Sequence, residues 1–195
     1  MRGHAFRISL VLIAGVAAPR TGDAFSTQGQ RWLTASDDTP VPYMVDPAGS
    51  RDAGADATVA AVRSAFSAWG AVACSYLRFE EAAFTPAEPN GRRNVVANDG
   101  ANRVFWAEAE AEWPGDPGTL ALTYTFYTLD DRQAITDADI VMNGASWTWT
   151  TDEAAAGQGD PAQVDVETVV FHEIGHFFGL AHSQDPDAAM YASNN

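Results

Sequence analysis

Three of the four histidines in this 195-residue chain fall within one run of eleven, HEIGHFFGLAH at 172–182. His172 and His176 are four apart, so on a helix of 3.6 residues per turn both imidazoles leave one face, about 5–6 Å apart. Such a pair can share a divalent ion, and imidazole nitrogen binds zinc at about 2.0–2.1 Å. Glu173 is rotated about 100° around the helix from His172, which suits a carboxylate reaching water beside the metal better than a ligand. Gly179 is placed to end the helix in a left-handed turn, after which His182 can approach the same ion from another direction. Three protein ligands leave a tetrahedral zinc with one open position, the arrangement of catalytic rather than structural sites. Water held there has its pKa lowered to about 7 and can attack a carbonyl polarised by the ion, with Glu173 as its general base.

The elements that must position these groups are legible around them. Asp165 is expected to cap the closing helix, with Val166, Val169, Val170, Ile174 and Phe177 or Phe178 available to a core. An earlier helix is predicted from Asp56, as the cap, to Gly70, with Val59, Val62, Phe66 and Trp69 on its buried stripe. VPYMVD (41–46), YLRFEEA (76–82), GTLALTYTFYTL (118–129) and AITDADIVMN (134–143) read as strands. NVVA and NRVFWAEAE, flanking NDG at 98–100, read as a strand, a turn and a strand. SWTWTTDEAAAGQGDPAQ reads as a loop. Asp137 and Asp139 share one face of their strand and are expected to be solvated, while Cys74, the sole cysteine, is expected to be buried.

Residues 1–24 have a basic start at Arg2 and Arg7, an apolar run from 8 to 18 and small residues suited to cleavage after Ala18 or Ala24. They are expected to be an export signal, which gives a secreted or cell-envelope location and leaves 25–195 as one domain. The apolar run is shorter than the roughly 20 residues that span a bilayer, so no integral membrane segment is expected after cleavage. The formal net charge is −15, and losing three arginines and one aspartate with the signal makes it −17. Nucleic acid is thereby an unfavourable partner. A monomer acting on a peptide or protein substrate is the expected form.

At His172, Glu173, His176, Gly179 and His182 the sequence resembles the metzincin zinc metalloproteases. Ser183 after the third histidine is similar to the matrixin, or matrix metalloproteinase-like, branch, and Met190 in HSQDPDAAMY falls where the family has its Met-turn. The resemblance covers roughly 31–195 and includes VRSAFSAW, LRFEE and GTLALTY. It looks nearest to bacterial secreted matrixin-like proteins, among them the type with a myxosortase sorting tail, although no such tail occurs up to Asn195. It implies an α+β catalytic domain of the zincin type: a twisted mixed sheet and two main helices, the second carrying the zinc motif. It further implies one catalytic zinc on His172, His176 and His182, with Glu173 passing a proton from water to the leaving amine. By the same similarity the backbone of Leu120 and Ala121 pairs with an extended peptide substrate.

The departures from the family also carry expectations. Its second, structural zinc has no histidines to hold it here, and Asp139 stands near the place of one. Residues such as Val141 and Gly144 replace acidic calcium ligands, so no matching calcium site is expected, and Asp130, Asp131, Asp137 and Asp139 read as a solvated acidic face before a calcium site of another kind. No segment carrying a zinc-blocking cysteine precedes the domain. Beyond Met190 the family continues through a specificity loop and a last helix, so the S1′ pocket and C-terminal subdomain are expected to be incomplete. That shortening leaves an alternative, a catalytically silent zinc-containing module that binds peptide along 118–123. A third reading, an acidic structural domain, predicts no stoichiometric zinc.

Overall fold

The computed structural model describes residues 6–10, 26–34, 39–86, 95–130, 132–158, 160 and 162–192. In chain order the elements are β1 (Phe6–Leu10), β2 (Ser26–Thr27), β3 (Arg31–Trp32), β4 (Val41–Val45), α1 (Ala55–Gly70), β5 (Phe79–Glu81) and β6 (Arg103–Ala107). They continue as β7 (Ala121–Thr128), β8 (Ala134–Asn143), β9 (Thr148–Thr150), β10 (Gln163–Asp165), α2 (Val166–Phe177) and β11 (Leu180–Ala181). The main sheet runs β1-β7-β8-β6-β4-β5, with β3 paired to part of β8. β7 is antiparallel to both β1 and β8, whereas β8, β6, β4 and β5 are mutually parallel. This is the expected α+β architecture, a mixed sheet served by two helices.

The sheet is covered on both faces. On one, Val104, Trp106, Ala138, Ile140 and Met142 join Val62, Phe66, Val170, Ile174 and Phe177 from the helices in a single core. On the other, Phe105, Ala107 and Val141 pack around Trp113, with Leu122 and Tyr124 beside them. Two-sided burial leaves β8 buried on both faces from Asp137 to Asn143, its polar residues included. α1 and α2 meet through aromatic rings: Phe66 lies edge-on to Phe177 at 5.8 Å, and Trp69 stacks on Phe171 at 4.9 Å. Trp32 adds a further tie by donating its indole N–H to the Phe177 carbonyl at 2.8 Å. No helix among the described residues is long and apolar enough to cross a membrane.

Several local expectations are corrected. The cap of α1 is Gly54, with φ of 80°, and Asp56 sits inside the first turn, where its charge still favours the helix N-terminus. Gly70 is the last helical residue and the chain leaves through right-handed Ala71, so no left-handed glycine ends α1. Cys74 is exposed, because the turn after α1 carries it outside the core. Thr148–Thr150, inside the expected loop, pairs as a short parallel strand with Gln163–Asp165 at that loop's end, and Trp149 is buried in the main core, edge-on to Trp106.

The largest correction concerns 95–103 and the two aspartates. Residues 95–98 form no strand, so no hairpin with β6 exists. Backbone N–H groups between 97 and 103 turn instead toward β8: Asp139 accepts from Ala97 at 3.0 Å and Arg103 at 2.9 Å, and Asp137 accepts from Asp99 and Gly100. Both aspartates are fully buried rather than solvated. Burial pushes Asp137 up to about 6 and Asp139 up to about 8. Asp130, by contrast, is exposed and accepts from the Thr128 hydroxyl at 2.6 Å, while Asp131 lies outside the described residues.

Candidate metal centre

α2 begins as its sequence dictates. The Asp165 carboxylate accepts the Thr168 N–H at 2.8 Å, satisfying one of the free donors of the first turn. Val166, Val169, Val170, Ile174 and Phe177 then fix the helix by burial, with Phe177 rather than Phe178 fully in the core. That anchoring sends His172 and His176 out of a common side, with ring centroids 4.9 Å apart. Gly179 adopts φ of 88°, and a Cβ there would run into the Gln30 carbonyl, so the turn needs glycine for both conformation and space.

The turn is held from outside by a segment that sequence reasoning left unassigned. Ser26–Thr27 pairs antiparallel with Leu180–Ala181, the Gln28 N–H reaches the Gly179 carbonyl at 2.8 Å, and the Ser26 hydroxyl donates to the His182 carbonyl at 3.0 Å. His182 is thereby delivered to the other two rings. Its Nε2 lies 3.1 Å from His176 Nε2 and 3.1 Å from His172 Nε2. Three nitrogens at about 2.0–2.1 Å from one tetrahedral zinc stand about 3.3–3.4 Å from each other. The two 3.1 Å separations, with all three ligand atoms within 4.8 Å of one another, suit one ion of that size.

The protonation pattern fits as well. His172 Nδ1 faces the Ala189 carbonyl at 2.8 Å, and His176 Nδ1 faces the Leu180 carbonyl at 2.9 Å. A carbonyl can only accept, so each Nδ1 carries the proton and each Nε2 keeps its lone pair for the centre. Burial lowers the pKa of His172, His176 and His182, the last to about 4 with help from the other two rings. The neutral imidazole that a metal requires is thus the favoured form. Among the described residues these three side chains form the one cluster of histidine, cysteine and carboxylate groups able to converge on an ion.

Glu173 stands outside that converging set. It is buried, and desolvation pushes its pKa above the ordinary carboxylate range, opposed by His172 and by a hydrogen bond from Thr123. The Thr123 hydroxyl lies 2.6 Å from Glu173 Oε2. No local signal in the sequence links the two, since they are 50 residues apart. Met190 is buried under α2, and a Cβ on Gly175 would collide with its sulfur. Gly175, between the two helical histidines, is therefore a packing requirement that the ligand spacing did not reveal. Ser183 and Met190 are joined by a 2.7 Å backbone hydrogen bond that closes the loop carrying Ala189 toward His172.

Ala121 is buried in the main core, and the half-buried Leu120 packs against it. On the side of β7 away from β8, β1 pairs with Tyr124–Thr128, and Ala121–Thr123 has no strand partner among the described residues. An open depression of about 450 Å³ between α1 and β5, lined by Arg63, Arg78 and Phe79, includes none of the histidines.

A helix-borne pair of imidazoles, a third after a glycine turn and a methionine packed underneath define a metallopeptidase-like centre. The chain belongs to the matrixin family, whose sequence profile, Matrixin, matches residues 31–195. A 49-residue stretch is 47% identical to Metalloendoproteinase 1-MMP of Arabidopsis thaliana, covering 25% of this chain and 13% of that protein.

Proposed function

We propose that this chain is an exported zinc endopeptidase in which His172, His176 and His182 hold one zinc ion and Glu173 is the general base. The observation that carries the reading is the convergence of three Nε2 atoms, two of them with Nδ1 fixed by a backbone carbonyl. When bound, zinc supplies a Lewis acid that polarises a carbonyl and makes water nucleophilic near neutral pH. Glu173 takes the proton of the attacking water and returns it to the leaving amine. Its desolvated carboxylate has a raised proton affinity, which brings it closer to the working pH of a base. The edge of Ala121–Thr123 that faces away from β8 gives an extended peptide a strand to join, through hydrogen bonds that do not depend on peptide sequence. Export rests on the basic start and apolar run of residues 1–24.

Casein cleavage by the zinc-loaded protein, with and without chelator, tests the reading. Cleavage is expected to vanish with chelator, and Glu173→Gln is expected to keep its zinc while losing about 10²–10⁴ in rate. Parent-like cleavage by Glu173→Gln would contradict the assigned base. Intact casein beside stoichiometric zinc would favour a peptide-binding module.

A further inference from the structure

Thr123 is 3% exposed and stands in β7, opposite Ile140 of β8. Its Oγ1 is 2.6 Å from Glu173 Oε2 and 3.1 Å from the Glu173 carbonyl oxygen. A hydroxyl has one proton to give. The charged acceptor at the shorter distance takes it, because charge-assisted hydrogen bonds are shorter and stronger than neutral ones. Among the described residues Thr123 is the single donor to this carboxylate.

The contact matters because the last torsion of a glutamate is broad, so burial alone does not choose which oxygen faces the reaction. Thr123 supplies that choice from a stiff base. Its β-branched side chain has few rotamers, and its backbone is locked in a ladder with β8. We propose that Thr123 is a positioning residue for Glu173: its hydroxyl pins Oε2 and leaves Oε1 as the oxygen that takes the proton. The inference rests on Glu173 being the general base. It also ties two parts of the site together, since the strand that offers its edge to a peptide is the one that orients the base. The spacing between peptide and carboxylate is then set by β7 itself.

Thr123→Val removes the hydroxyl at nearly constant shape, and Thr123→Ser restores it. Zinc-loaded Thr123→Val is expected to keep one zinc per chain and the parent KM, and to lose about 10- to 100-fold in kcat, the worth of one hydrogen bond to a charged group. Thr123→Ser is expected to return most of that loss. A second readout does not depend on turnover: the infrared carboxylate band of Glu173, isolated as the difference between parent and Glu173→Gln. That band is expected to move to higher wavenumber in Thr123→Val and to stay in place in Thr123→Ser. Should the valine variant lose its fold or its zinc, Thr123→Ala against Thr123→Ser reads the same contrast. A parent kcat together with an unmoved band, in whichever variant lacking the hydroxyl folds, overturns the inference. A parent that binds zinc but cuts nothing overturns the enzyme reading instead, and the infrared contrast then decides whether Thr123 holds the carboxylate.

Discussion

Two groups of buried titratable side chains are built on opposite principles. The three histidines converge, with His182 Nε2 3.1 Å from the Nε2 of both His172 and His176. Asp137 and Asp139 point their carboxylates into backbone N–H groups of Ala97, Asp99, Gly100 and Arg103. Buried polar groups need partners, and the aspartates find most of theirs within the chain, whereas the inward lone pairs of the histidines have only each other. Facing lone pairs call for a cation from outside. Buried charge by itself therefore marks no site here, and the direction in which unsatisfied atoms converge does.

Removing metal should produce the largest effect that separates the two regions. Zinc binds the folded arrangement and not the unfolded chain, so chelation is expected to lower the melting temperature of the parent and to abolish cleavage. His182→Ala, left with two ligands and a weaker site, is expected to show a much smaller drop on chelation. An equal drop in both proteins would break the comparison.

Next in size is Asp139→Ala, which strands the buried Arg103 N–H and the half-buried Ala97 N–H at a cost of roughly 1–3 kcal/mol each. Denaturant melts should show a loss of about 2–5 kcal/mol with zinc stoichiometry unchanged. Loss of zinc in the folded variant would mean that the aspartates belong to the metal centre. Gly175→Ala should cost about 1–3 kcal/mol by overpacking against Met190, and less in a Met190→Ala background. Equal costs in both backgrounds would show that the sulfur is not what excludes the methyl group.

The smallest and most diagnostic effect is in pH. With zinc removed, the histidines have folded pKa values below their unfolded value of about 6.5. Their contribution to stability is present above 6.5 and is lost as pH falls toward the value of about 4 for His182. The aspartates are raised, so their contribution is present below about 3.9 and is lost as pH rises through about 6 and about 8. Stability of the metal-free chain is expected to decline from pH 7 to about 8, where Asp139 still holds its proton in the folded state, by at most ~1.4 kcal/mol per pH unit for that proton, and to level off above. Asp139→Asn, which imitates the neutral acid, should flatten that decline, and an unchanged slope would remove Asp139 from the account.

What could be read in the sequence was local. The Asp165 cap, the four-residue histidine spacing and the glycine turn are set within a few residues, and the structure realises each of them. What could not be read was decided across the sheet. Asp139 looks like a solvated residue until a loop 36 to 42 positions upstream folds its N–H groups onto it. The same loop spends its donors there, which is why the expected hairpin never forms. Thr123 and Gly175 look like an ordinary strand threonine and helix glycine, and only the packing of β7 and Met190 against α2 gives them a part in the site. The Ser26–Gln30 brace was hidden for the same reason, lying about 150 residues from the turn it holds.

The central claim is that three imidazoles share one zinc ion, and X-ray absorption at the zinc edge measures this directly on protein loaded with one equivalent. Three nitrogen ligands from imidazole at about 2.0–2.1 Å are expected in the parent and two in His182→Ala. Zinc with oxygen ligands alone, or a first shell that the substitution leaves unaltered, would contradict it.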